Sequence, residues 1–431
     1  LEGQSSAIAP PLFLMKTWYN LTVYKETILD NGLRIMTHED KSLPIVDIRL
    51  VFRAGSRYEE KRQKGYAHIL EHMLLKGTAK RPSPVLIARE VDDKGGYKNA
   101  RTGRESFSIV LQAANDYAEE MFELLSDMLL NSLIDPVILE NEKKVIIEEL
   151  KKADDNVESF FTRFTFEKLF SGHPLSTNIL GDTESITSAN DNELRIYKEK
   201  FLVPDRAALV VSGNISHDKA VILVRKYFSE WSGKSNILQP AEFVPAVLEP
   251  HFYHKKTTQT LVAYNLFTVP ADKTRELAAL DIIQNFLNFV GSSALKEELR
   301  HKRGLVYSIS LNNYTFSDAG FLSIKTSTSK PKETVKVIKD IIYNLKKIFT
   351  EDLLNGIKMR SIGNFKLYTA NPYNHTGLLS AGFIARGKLF TPEEYISEIE
   401  SVSYDEVIQV IDTYLAPEKA IITAMGPEAF S

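Results

Sequence analysis

The sequence predicts an α+β protein made of two homologous domains, each a mainly antiparallel sheet packed by helices. Two observations predict the duplication. Pro204-Asp205-Arg206 leads an apolar run ending at Gly213, and Pro417-Glu418-Lys419 leads a similar run ending at Gly426. The offset is 213 positions, and residues 46–52 find a partner in residues 260–266 at nearly the same offset. Self-similarity on this scale means two copies of one unit. The third observation gives the class. Strand-like segments at 33–37, 46–52 and 106–111 alternate apolar and polar residues, and amphipathic helical stretches follow at 116–131, 135–153 and 332–349. Strands adjacent in sequence, with helices grouped after them, favour an antiparallel sheet.

The first domain is expected over residues 1–232 and the second over 251–431. Between them, residues 233–250 hold Gly233, Pro240, Pro245 and Pro250 without periodicity and read as a linker. At the other end, residues 3–14 contain Pro10-Pro11 and little charge. They read as an arm ahead of the domain, not a signal peptide, because a basic start is missing. Leu1-Glu2 reads as a cloning remnant or the start of a processed form.

Composition narrows the function classes. The 431 residues are enough for two or three domains with cores of their own. Hydrophobic content of 43% and charged content of 25% are those of an ordinary globular protein. The formal net charge is −3 and no basic cluster interleaves with aromatics, so no nucleic-acid partner is expected. No apolar run approaches the roughly 18 residues of a membrane span. With no cysteine, disulfides and thiolate metal sites are excluded, and the compartment stays open. The expectation is a soluble bacterial protein of the cytoplasm or periplasm.

The chemistry is concentrated in His68-Ile69-Leu70-Glu71-His72. On a helix, positions i and i+4 share a face, so His68 and His72 can hold one metal ion. Glu71 lies on the same side and can take a proton from a water held there. A catalytic site of this kind needs a third protein ligand. Downstream, Asp135-Pro136 has the N-cap and first-turn signature of a helix start. Along that helix Glu142, Val145, Ile146 and Glu149 fall on one face, half apolar and therefore expected inward. Two inward carboxylates call for a cation. Glu149 is taken as the third ligand, and Glu142, two turns earlier, as the carboxylate that orients a ligand histidine. Glu148 lies off the stripe.

These residues resemble the inverzincin family of pitrilysin, insulin-degrading enzyme and mitochondrial processing peptidase. That family has H-x-x-E-H, 76 further residues, then Glu. Here 76 residues separate His72 from Glu149, and Glu142 matches the family's second Glu seven positions earlier. The flanks Gly65-Tyr66-Ala67 and Lys76-Gly77-Thr78 also match, and the resemblance runs from about Asn31 to Gly426. It implies the mitochondrial-processing-peptidase-like fold occurring twice, one zinc per chain, and metalloendopeptidase activity on extended peptides or unfolded segments. The second half keeps no such motif. At the 213-residue offset, His68, Glu71 and His72 fall on Asp281, Gln284 and Asn285.

The second half is expected to serve the site differently. In the family an Arg, and a Tyr seven residues later, project into the active site from the second kind of domain, and Arg300 and Tyr307 match. Tyr307 would donate to the oxyanion and Arg300 would hold a substrate carbonyl. The segment Gly95-Gly96-Tyr97-Lys98-Asn99-Ala100-Arg101-Thr102 resembles the family's edge strand, which binds peptide by β-augmentation. Asn99, Ala100, Arg101 and Thr102 are therefore substrate-binding candidates, as is Leu75, one turn past His72. The family usually has an aromatic residue where Arg101 stands. Ser159 and Arg163 stand where mitochondrial processing peptidase carries carboxylates, so its arginine specificity is not carried over. Four-domain relatives take their Arg/Tyr pair from the last domain, which implies a homodimer here, each chain completing the other's site. The alternative is a non-catalytic assembly subunit, or a peptide-binding partner in a heterodimeric peptidase.

Overall fold

A computed structural model describes residues 23–236, 243, 249–288 and 293–427. The expected N-terminal arm lies outside the described residues, and so does most of the expected linker. The first half holds six strands: β1 (Val23–Ile28), β2 (Arg34–Glu39), β3 (Ile45–Phe52), β4 (Tyr97–Thr102), β5 (Phe107–Ala114) and β6 (Ala207–Gly213). They lie in the order β1-β2-β6-β3-β5-β4. The second half holds β7 (His251–His254), β8 (Thr260–Thr268), β9 (Ile309–Thr315), β10 (Gly320–Thr328) and β11 (Ile421–Gly426), in the order β7-β11-β8-β10-β9. Without β1 the two orders are the same. The parallel pairs also correspond, β2 with β6 and β7 with β11, and every other pair is antiparallel. Even the β4–β5 and β9–β10 turns match, closed by Gly103 N–H to Ser106 O and Phe316 N–H to Ala319 O, each at 2.7 Å.

Each sheet has helices on its inner face. In the first half, the helices Tyr66–Leu74, Ala118–Leu130, Asp191–Phe201 and His217–Phe228 bury Leu70, Phe122, Tyr197 and Phe228 against Leu50, Phe52 and Phe107. In the second, Thr274–Asn288, Pro331–Tyr343 and Tyr404–Tyr414 bury Ile283, Ile338 and Val407 with Leu322 and Ile324.

The outer faces are covered differently from the alternating apolar–polar pattern expected at 46–52. β3 and β6 are buried along almost their whole length, because each half sends one helix across to the other's sheet. The helix Pro372–Arg386 of the second half sets Leu379 and Phe383 on Met36, Val51, Ala208 and Val210 of the first sheet. The helix Val157–Leu169 of the first half sets Phe161 and Phe164 on Leu261, Ala263 and Met425 of the second. Polar groups stranded by this double coverage find partners across it. Thr376 donates to the buried Asp47 carboxylate, and the Thr165 and Thr423 hydroxyls meet at 2.9 Å. A buried ion network adds a third tie. Arg57 grips Asp318 at 2.9 and 2.7 Å and also pairs with Glu105, linking the β4–β5 turn to the β9–β10 turn. Among the described residues no helix is long and apolar enough to cross a membrane.

Candidate metal centre and active site

The helix Tyr66–Leu74 is held at its start by two devices. Gly65 sits at φ 89°, and a Cβ there would lie 2.9 Å from the Leu180 carbonyl oxygen, so only glycine fits. The Glu59 carboxylate accepts the Gly65 and Ala67 main-chain N–H groups at 2.8 and 2.9 Å. These are donors that a helix start leaves unpaired. The helix therefore enters at a fixed angle, with His68 and His72 one above the other, their ring centroids 4.8 Å apart.

The helix Pro136–Asp155 crosses beside it. Asp135 caps it as its sequence implies, accepting from Val137 and Ile138 N–H at 2.8 and 3.0 Å. The expected inward stripe is displaced, however. The buried positions are Leu139, Glu142, Lys143, Ile146 and Leu150, and Val145 is 52% exposed. The burial line runs through i, i+3, i+4, i+7 from residue 139, a part-turn away from the line through 142, 145, 146 and 149. Glu149 therefore flanks the core, with its side chain 45% exposed, and faces the histidines from the cleft side. Its Oε2 lies 3.7 Å from His68 Nε2 and 3.7 Å from His72 Nε2. One ligand atom from each of the three residues falls within 4.8 Å of the others, and no other such group of three occurs among the described residues.

Glu142 does have a cation to face, and a ligand histidine beside it. Its Oε2 lies 3.0 Å from His72 Nδ1, and its Oε1 is 2.8 Å from Lys76 Nζ. Burial opposes its ionisation, but the bonds from Lys76 and His72 outweigh that and hold the carboxyl below the ordinary glutamate range. A carboxylate on Nδ1 fixes the ring's tautomer and leaves Nε2 free to ligate. His68 is only 6% exposed, and burial, then the neighbouring His72, pushes it down to about 4. A ring kept neutral at physiological pH is what a metal ligand requires. Its Nδ1 has no hydrogen-bond partner among the described residues, so packing sets this ring's position. Two imidazole nitrogens and one carboxylate oxygen suit a zinc ion with an open coordination position.

Glu71 lies beside this cluster, half-buried. Burial pushes its carboxyl up. Its Oε2 accepts the Thr102 hydroxyl at 2.6 Å. Thr102 ends β4, which pairs with β5 on one side and, among the described residues, with no strand on the other. Asn99 and Lys98 are half-buried, Arg101 exposed and Ala100 buried. Leu75 is half-buried at the end of the motif helix and packs on the first core. Lys76 on Glu142 and Thr102 on Glu71 were not anticipated from sequence. Thr102 stood there only as a substrate contact.

Arg300 and Tyr307 are elsewhere. Arg300 lies in the π-helical turn Glu297–Lys302 and sits 5.2 Å from the Tyr307 ring centroid. Both are exposed, Tyr307 to 83%. Among the described residues no hydrogen bond, ion pair or ring contact joins them to the histidine–carboxylate cluster. In the second half, the helix Thr274–Asn288 occupies the place of the motif helix. There Asn285 Nδ2 bonds Asp281 O at 2.9 Å and Gln284 Nε2 bonds Leu311 O at 3.3 Å. Those residues serve the fold.

The fold is a duplicated α+β unit in which, among the described residues, one half alone gathers two histidines and a carboxylate able to hold a metal ion. Residues 34–183 match the family described as Insulinase (Peptidase family M16), and residues 188–361 match the Peptidase M16 inactive domain. The chain belongs to peptidase family M16. It is 27% identical over 398 residues to an uncharacterized zinc protease of Rickettsia felis, covering 91% of this chain and 94% of that one. It is 28% identical over 389 residues to the uncharacterized zinc protease YmxG of Bacillus subtilis, covering 89% and 93%. With the mitochondrial-processing peptidase subunit beta of Caenorhabditis elegans it shares 36% identity over 225 residues, 52% of this chain and 48% of that one. In fold it is similar to a protease from Helicobacter pylori, with TM-score 0.85 and 19% identity over 94% of this chain and all of that one.

Proposed function

We propose that this chain is a zinc-dependent metalloendopeptidase acting on extended peptides or unfolded segments. The convergence of His68 Nε2, His72 Nε2 and Glu149 Oε2 beside Glu71 carries the reading. His68, His72 and Glu149 would hold one zinc per chain, with Glu142 orienting His72. Zinc, when bound, supplies Lewis acidity that activates a water and polarises a peptide carbonyl. Glu71 takes the proton of the attacking water and delivers it to the leaving amine. Burial suits it to this, since a carboxyl held above the ordinary glutamate range is a stronger base. The free edge of β4 offers main-chain N–H and C=O groups to an extended substrate, which a folded protein could not match.

Arg300 and Tyr307 are read as acting on the site of a second copy of this chain. Their exposure supports that: an arginine over a tyrosine ring at the surface is placed to enter a neighbour's cleft. A peptide library assayed with chelator, with restored zinc, and with Glu71→Gln tests the function. Cleavage should stop with chelator and return with zinc. Glu71→Gln should keep its metal and lose about 10²–10⁴ in rate, the usual contribution of a general base. Near wild-type cleavage by Glu71→Gln would show that the base has been misassigned.

A further inference from the structure

We infer that Thr102 is a positioning residue for Glu71, its hydroxyl aiming the carboxylate, and that it makes no contact of its own with the peptide. This rests on the reading of Glu71 as the general base. A glutamate side chain has three rotatable bonds, and one that must move a proton between two reacting groups loses rate whenever it swings away. Packing restrains Glu71 only in part, because it is half-buried at the cleft. The restraint comes from β4. The Thr102 hydroxyl donates to Oε2 at 2.6 Å, short for a neutral donor and typical of a charged acceptor. The Thr102 main-chain N–H bonds the same carboxylate, so both restraints on Glu71 come from the end of β4.

The threonine is itself held. Its β-branched side chain has few rotamers, and its strand is locked to β5 with Thr102 opposite Phe107. The hydroxyl has a second acceptor, the Ala67 carbonyl at 3.4 Å on the motif helix. When Glu71 is ionised, the hydroxyl proton points at Oε2. While Glu71 carries the substrate water's proton, the same hydroxyl can turn to Ala67 O and remain satisfied. One residue thus accommodates both protonation states without strain.

The second half supplies an internal comparison. Thr315 ends β9 as Thr102 ends β4, and it lies opposite Gly320, five positions on, as Thr102 lies opposite Phe107. Gln284 stands in the place of Glu71. Among the described residues these two do not bond: Gln284 reaches the Leu311 carbonyl, and Thr315 Oγ1 is 3.4 Å from Asn313 Nδ2. The threonine is present in both halves, but the threonine–carboxylate contact occurs only where a base is needed.

The test uses Thr102→Val, which keeps shape and strand preference, with Thr102→Ala as a second deletion and Thr102→Ser as rescue. Loss of one hydrogen bond to a charged group should lower kcat by about ten- to a hundredfold with KM within twofold. Zinc content should be unchanged, and Ser should restore most of the rate. A second readout needs no turnover. In a Glu71→Gln background, Thr102→Val should leave the affinity for a fluorescent peptide unchanged, because the threonine serves the base and not the peptide. Wild-type kcat in folded Thr102→Val or Thr102→Ala protein overturns the inference. A raised KM with kcat kept, or weaker peptide binding in the Gln background, makes Thr102 a substrate contact and overturns it too. If Glu71→Gln is itself active, the fault lies with the base assignment.

Discussion

Acidification should strain the contact between the first sheet and the helix that crosses onto it. There His38 of β2 lies flat on His375, ring centroids 3.8 Å apart and planes 5° from parallel. Both rings are buried. His375 Nδ1 is 3.1 Å from the Thr369 carbonyl, which only accepts, so that nitrogen carries the proton; Nε2 then accepts from Tyr24 OH at 2.6 Å. His38 Nδ1 meets Ser212 Oγ at 2.8 Å. Burial pushes His38 down to about 3, His375 beside it adds to the shift, and Asp40 opposes it. The folded pKa is below the unfolded value of 6.5, so the unfolded state binds more protons between pH 6.5 and 3. The contribution is complete above pH 6.5 and falls by about 1.4 kcal/mol per unit below it, a loss of roughly 3 kcal/mol by pH 4.5. Asp47, on the same contact, has the opposite sign. Burial raises it to about 6, so acidification relieves it and partly masks His38. The clean measurement is a difference. Urea unfolding of wild type and His38→Phe, which keeps the ring and loses the charge, should diverge by about 3 kcal/mol between pH 7 and 4.5, the variant gaining. Parallel stability curves would refute the reasoning. The subtraction also removes the pH dependence of the metal site, which both proteins share.

Glu142→Gln should keep zinc at saturation but weaken its affinity about 10- to 100-fold, as loss of an orienting partner does, and competition with a chromogenic chelator measures it. Mixing inactive Glu71→Gln chains with inactive Tyr307→Phe chains should restore activity after subunit exchange, since one site in each mixed dimer is then free of both defects; no recovery despite exchange would mean each chain completes its own site. Leu379→Ala, at a fully buried position on the crossing helix, should cost about 2–5 kcal/mol in unfolding experiments while leaving zinc binding intact.

The grouping of His68, His72 and Glu149 was legible because its parts obey local rules. Two histidines four apart and a capped helix with carboxylates seven apart are helix-face statements, and a helix face survives folding. The stripe argument was less secure, since a part-turn rotation of the burial line took Val145 to the surface and left Glu149 at the cleft margin. What escaped depends on residues far apart in sequence meeting in space: Thr102 on Glu71, Arg57 on Asp318, and the crossed helices. For the last a sequence signal existed. Phe160, Phe161, Phe164, Phe166 and Phe170 crowd eleven positions, more than one buried face can use. The apolar run at the start of β6, Ala207 to Val211, pointed the same way, toward a strand covered on both sides.

The crossed helices also set a timetable for synthesis. β3 and β6 are complete once Gly213 has been made, but their outer face stays bare until the helix ending at Arg386 follows it out. At about 5–20 residues per second, that is a delay on the order of ten to thirty seconds. Throughout it the nascent chain displays Met36, Val51, Ala208 and Val210 to the cell, and any fragment ending before residue 372 displays them permanently. An arrangement in which each half covers the other is that of two single-domain chains exchanging a helix, joined end to end. Within one chain the exchange is obligatory, so the outer face of the first sheet is covered only in a late step.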